Sequence, residues 1–97
     1  MQFHIRLLDE AVEDLAGGRD FYERQLSGLG DYFLDSIFSD IESLYLYAGI
    51  HPSQYGHYKM LARRFPYAIY YKFVDNVVEI RAILDCRRNP TDIEKRF

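Results

Sequence analysis

Ninety-seven residues, 48% of them hydrophobic and only three of them proline, are enough for one small core and too few for two, so the chain reads as a single ordered domain over residues 1–97. Charge interrupts every apolar run well before the roughly 20 residues needed to cross a bilayer. "MQFHIRLLDEAVEDL" puts acids where a secretory signal needs an unbroken apolar stretch, so the expected compartment is the cytoplasm, with no membrane partner.

The lone Cys86 excludes an internal disulfide, and with no adjacent histidine it reads as a packing residue. His4, His51 and His57 lack metal-ligand spacing, so neither a metal nor a cofactor is expected. The net charge of −3 conceals an asymmetry: residues 1–50 carry three basic against ten acidic side chains, and residues 51–97 carry nine against five. An acidic first half at −7 and a basic second half at +4 point to contacts with an acidic protein segment or a phosphate rather than to non-specific nucleic-acid affinity.

The first element is a strand, "QFHIRL", in which Phe3, Ile5 and Leu7 share one side and Gln2, His4 and Arg6 the other. Asp9 is placed to cap the helix that follows, whose apolar stripe runs Ala11, Leu15, Gly18, Tyr22 and Leu26. Gly17-Gly18 weakens that helix unless a neighbour packs closely there. "SGLG" at 27–30 is a tight break. A second helix then carries Leu34, Ile37, Ile41, Leu44 and Ala48, widened by Phe33, Phe38 and Tyr45, and stops at Gly49, so the two helices form an antiparallel hairpin.

After the loop "IHPSQYG" the apolar period changes to two. "YKMLAR" sorts Tyr58, Met60 and Ala62 to one face and Lys59, Leu61 and Arg63 to the other; Phe65-Pro66 makes a corner. "YAIYYKFV-DN-VVEIRAIL" reads as a hairpin about Asp75-Asn76, a candidate type I′ turn. Its register pairs Val74 with Val77, Phe73 with Val78, Lys72 with Glu79, Tyr71 with Ile80, Tyr70 with Arg81, Ile69 with Ala82, Ala68 with Ile83 and Tyr67 with Leu84. The core face is then Tyr67, Ile69, Tyr71, Phe73, Val78, Ile80, Ala82 and Leu84. The tail turns at Asn89-Pro90 into one helical turn capped by Thr91 or Asp92. The expected fold class is α+β in the order β-α-α-β-β-β, with the helical hairpin on one face of a small antiparallel sheet.

In that order and spacing, "EAVEDL", "FYERQLSGLGDYFLDSI", "RRFPYAIYYKFVDNVVEIRAIL" and "CRRNP" resemble the RelE/ParE superfamily of toxins from type II toxin–antitoxin modules, the plasmid-stabilisation type, over nearly the whole chain. The resemblance implies a growth-inhibiting toxin held by a cognate antitoxin and aimed at DNA gyrase, as in ParE-like members, or at mRNA on the ribosome, as in RelE-like endoribonucleases.

Metal-free RNA cleavage needs a base for the 2′-OH, cations around phosphorus and an acid for the leaving oxygen. The nuclease candidates are Lys59 as base, crowded by Arg63, with Arg87 and Arg88. Against them, Ala68 stands where such nucleases usually place an arginine, "TDIEKRF" holds neither Tyr nor His, and Asp85 occupies a position where many relatives have histidine. The resemblance therefore favours gyrase-type inhibition by protein binding through Lys59, Arg63, Arg64, Tyr70, Arg81, Arg87 and Arg88. The alternatives are a ribosome-dependent endoribonuclease and a binding relative without toxicity. The blander reading of Arg63 and Arg64 is a pair of strand-end charges that deter edge pairing, and that of Tyr58, Tyr67 and Tyr71 is core.

Overall fold

The computed structural model describes residues 3–97; Met1 and Gln2, the latter counted in the predicted first strand, lie outside the described residues. Strand β1 (His4–Leu7) leads into helix α1 (Asp9–Gln25), helix α2 (Leu29–Glu42) and a short turn of helix, α3 (Leu44–Tyr47). Strands β2 (Ser53–Gln54), β3 (His57–Leu61), β4 (Tyr67–Val74) and β5 (Val77–Asp85) follow, then α4 (Pro90–Glu94). The sheet order is β1-β5-β4-β3-β2. β1 runs parallel to β5 and the other pairs are antiparallel, so the sheet is mixed where a purely antiparallel one was expected. The crossover α1–α2 returns the chain to the far side of the sheet, which forces that orientation on β1.

The helical hairpin packs as its spacing predicts. Ala11, Leu15, Gly18 and Tyr22 are buried along α1, while Leu26 is exposed. Asp9 is the first helical residue and caps nothing, because Leu8 stands at the N-cap. The break "SGLG" has a specific construction: Gly28 adopts φ +89°, and the Glu23 carboxylate accepts the backbone N–H groups of Gly28 and Gly30 at 2.9–3.1 Å. Those donors hold the Glu23 carboxyl below its usual range. A Cβ at Gly30 would lie 2.7 Å from the Arg19 carbonyl oxygen, so the glycine sets how closely the two helices cross. The long second helix of the sequence reading breaks at Ser43, and Phe38 and Tyr45 lie outside the core.

Two features of the sheet depart from the sequence reading. "SQYGHY" is a hairpin, β2 to β3, with Tyr55 and Gly56 both at positive φ, inside what reads as loop. At the β4–β5 turn only Asp75 has positive φ, so the turn is not type I′. It still sets the expected pairs from Val74–Val77 to Tyr71–Ile80.

Beyond them a bulge at Tyr70/Tyr71 shifts the register by one. Tyr70 pairs with Ala82, Ile69 with Ile83, Ala68 with Leu84 and Tyr67 with Asp85. Ile83 therefore joins Tyr67, Ile69, Tyr71, Val78 and Ile80 in the hairpin-side core, and Ala82 and Leu84 turn to the opposite face. Phe73, expected in the core, is 40% exposed at its margin.

That opposite face is a second, smaller core. Ala68, Tyr70, Ala82 and Leu84 lie under Ile93 of α4, with Tyr55 and Phe97 packed against them. Asn89, not Thr91 or Asp92, caps α4 by accepting the Thr91 N–H at 2.9 Å. Arg96 fastens the tail to α1 through two bonds to Asp14, 2.8 and 2.9 Å, and an ion pair with Glu10 at 3.3 Å. Phe97 stacks on Tyr55 and leans on Tyr70 and His57.

Candidate partner-binding surface

The β3–β4 corner and the exit of β5 meet at one end of the sheet, where the Cys86 N–H donates to the Pro66 carbonyl at 2.7 Å. Arg63 and Arg64 thus come from one side of that bond, and Arg87 and Arg88 from the other. The four arginines that the sequence singles out share one end of the molecule, but they differ in what they can do.

Arg63 does not join Lys59 on the far face. It lies past the end of β3, turned to the hairpin side. Its Nε donates to Asp40 at 3.0 Å and its backbone N–H to the same carboxylate at 3.3 Å. Asp40 is buried in the last turn of α2, so this arginine neutralises a buried charge. Arg87 forks onto Asp85 through Nε and a terminal nitrogen, 2.7–3.2 Å, and that grip holds the Asp85 carboxyl below the usual carboxylate range. The same pair sits beside Tyr22 and Tyr67. Burial pushes the Tyr67 hydroxyl up to about 12 and raises that of Tyr22, so both stay neutral phenols near pH 7. Arg64 and Arg88 are exposed, with no ion pair among the described residues, and are the two guanidinium groups of this end open to an incoming acid.

The remaining candidates lie elsewhere. Tyr70 is 2% exposed, with Phe97 over it and the Lys59 Nζ 6.0 Å from its ring centre. It is a core residue of the second face rather than a contact, because the tail fills the space in front of it. Arg81 pairs with Glu10 at 3.5 Å and donates to the Arg96 carbonyl at 3.3 Å, so it helps tie the tail down. Cys86 is exposed rather than packed. Lys59 therefore stands on one side of the sheet and Arg63 and Arg87 on the other, and the proposed nuclease set does not converge.

An apolar shoulder missed by the sequence reading borders the arginine end. Leu46 is 80%, Ile50 72% and Leu61 64% exposed, and Tyr45 and Tyr47 are more than half exposed. Asp40, Ser43, Tyr47, His51, Met60, Leu61 and Arg63 line a groove of about 290 Å³ within it. On that side β2 covers only the beginning of β3, pairing with His57 and Tyr58. The signal was present: Leu46 and Ile50 fall off the helical stripe that Ile37, Ile41 and Leu44 define. Among the described residues no helix is long and apolar enough to cross a membrane, and no cluster of metal-ligating side chains occurs.

The sequence matches no protein-family model and no curated protein. The fold has a solved counterpart. A chain in the structure of the chromosomal ParDE TA (toxin–antitoxin) system from P. aeruginosa is similar at a TM-score of 0.70, covering 84% of this chain and 92% of that one, with 18% sequence identity. The small α+β fold with its helical hairpin is thus that of a ParDE-system chain, and the family resemblance read from the sequence is borne out at the level of fold.

Proposed function

We propose that this chain is the toxin of a type II toxin–antitoxin module, neutralised by a cognate antitoxin and acting on an essential target of the DNA gyrase class by protein binding. The observation that carries the reading is the exposed apolar shoulder running into an arginine end, on a fold shared with a ParDE-system chain. Apolar surface of that extent, ending at arginines, suits an amphipathic segment with acidic residues. Protein binding is favoured over RNA cleavage because Lys59 is separated from Arg63 and Arg87, both of which hold internal carboxylates.

The test is induced expression in a bacterial host. Growth arrest with DNA breaks and intact message supports the reading. Rapid cleavage of message on ribosomes would replace it with the endoribonuclease, and undisturbed growth would reduce the chain to a binding relative. Arg64→Glu with Arg88→Glu should weaken the antitoxin complex more than Arg63→Glu with Arg87→Glu does in protein that remains folded.

A further inference from the structure

β1 pairs with β5 only from Val77 to Ile80, and its last bond is the Leu8 N–H to the Ile80 carbonyl. The outer edge of β5 beyond that point has no neighbouring strand among the described residues. Ladder alternation fixes which groups face outward there. Cys86 donates across to Pro66, which sets Leu84 and Ala82 inward and turns Ile83 and Asp85 out.

Of these outward groups, the Ile83 N–H is already taken by the Asp14 carboxylate at 3.0 Å, and the Asp85 carbonyl by the Arg88 N–H at 3.2 Å. The Ile83 carbonyl and the Asp85 N–H are left. A parallel neighbour would seat a single residue between these two groups, and an antiparallel one would bond them through two of its residues as a widely spaced pair. The free pair can therefore serve an added strand of either direction.

A groove of about 370 Å³ lies along this edge, lined by Glu13, Gly17, Phe21 and Arg24 of α1 and by Ile83 and Arg88. Gly17 lies inside a helix, and nothing stands within 4 Å of where its Cβ would be, so packing within the chain does not call for a glycine. The charges along the groove are unequal. Asp14 is bound by Arg96 and Asp85 by Arg87, whereas Arg24 and Arg88 carry no ion pair among the described residues and only Glu13 opposes them.

We infer that this groove is a docking slot for a short extended segment of a protein partner that carries a carboxylate and adds to β5 beyond the end of β1. Its backbone bonds the Ile83 carbonyl and the Asp85 N–H, its chain passes over Gly17, and its acid meets Arg24 and Arg88. The inference rests on the reading that the chain works through a protein partner, and the two can fail separately.

The probe is a blocked hexapeptide alternating valine and glutamate, compared with the same peptide bearing lysine, titrated into the intact chain by NMR. The expected result is saturable binding of the acidic peptide, about tenfold or more tighter than the basic one, with slowed exchange at the Asp85 amide. Gly17→Leu should abolish binding while the thermal midpoint does not fall. Arg24→Glu with Arg88→Glu should reverse the peptide preference and does not depend on how Gly17→Leu folds. No saturation up to about 1 mM, equal binding of both peptides, or protection confined to residues outside the groove would overturn the slot. So would a chain that self-associates through this edge, seen as a dimer that Gly17→Leu disperses. Growth arrest without peptide binding removes the slot alone; peptide binding without growth arrest removes the toxin reading alone.

Discussion

Gly17 and Gly18 are adjacent in α1 and equally poor helix formers, yet replacing each with alanine should affect stability differently. A Cβ at Gly17 meets nothing within 4 Å, so Gly17→Ala adds only helix propensity, about 1 kcal/mol in favour of the fold. A Cβ at Gly18 would lie 2.7 Å from two ring carbons of Phe33 and 3.2 Å from the Tyr67 hydroxyl. Phe33 cannot swing aside: it is fully buried, with Tyr22, Phe65 and Tyr67 rings 4.9–5.1 Å from its centre. Overpacking of this kind costs about 1–3 kcal/mol, which cancels or outweighs the same propensity gain. The two variants should therefore differ by about 1–3 kcal/mol in urea unfolding with unchanged m-value, and by several degrees at least in thermal midpoint, at about 4–8 °C per kcal/mol for a domain of this size. If Gly18→Ala stabilised the chain as much as Gly17→Ala does, the aromatic box would be loose and the argument from Phe33 wrong.

The arginine end offers a second pair. Arg63→Ala strands the buried Asp40 carboxylate and should cost about 1–2 kcal/mol, the exposed guanidinium keeping the loss below that of a fully buried pair, whereas Arg64→Ala should stay within about 0.5 kcal/mol in the same unfolding experiment. Acid should weaken the fold through Asp85. Because Arg87 depresses its folded pKa, Asp85 contributes fully above the usual carboxylate range, and the contribution is lost as pH falls through the depressed value. Urea midpoints from pH 6 to 3 should drop less steeply in Asp85→Asn, and parallel curves would show that the pair does not matter.

Much of the fold was legible because local rules and global packing agree. The stripe Ala11, Leu15, Gly18 and Tyr22 has one face to bury, and the Asp75-Asn76 turn fixes its neighbours whichever type it adopts. Reading failed where sequence offers a tie. Ile83 and Leu84 are equally apolar, so alternation from the turn cannot reveal a bulge, and the tie is broken by Ile93 and Phe97, which give the second face a cover of its own.

For the candidate site, the sequence brought Arg63, Arg64, Arg87 and Arg88 into view and the topology gathers them at one end. Which of them are free was decided by Asp40 and Asp85, acids whose reach depends on where α2 ends and how β5 exits. Sequence alone thus determined the main helices and longer strands, their order and the charge of the second half, since these follow from periodicity and composition along the chain. Tertiary structure alone decided that Tyr70 is covered, that Arg63 turns from Lys59, and that β5 keeps an open edge. Each of those depends on contacts between residues far apart in sequence, whose energies no local pattern contains.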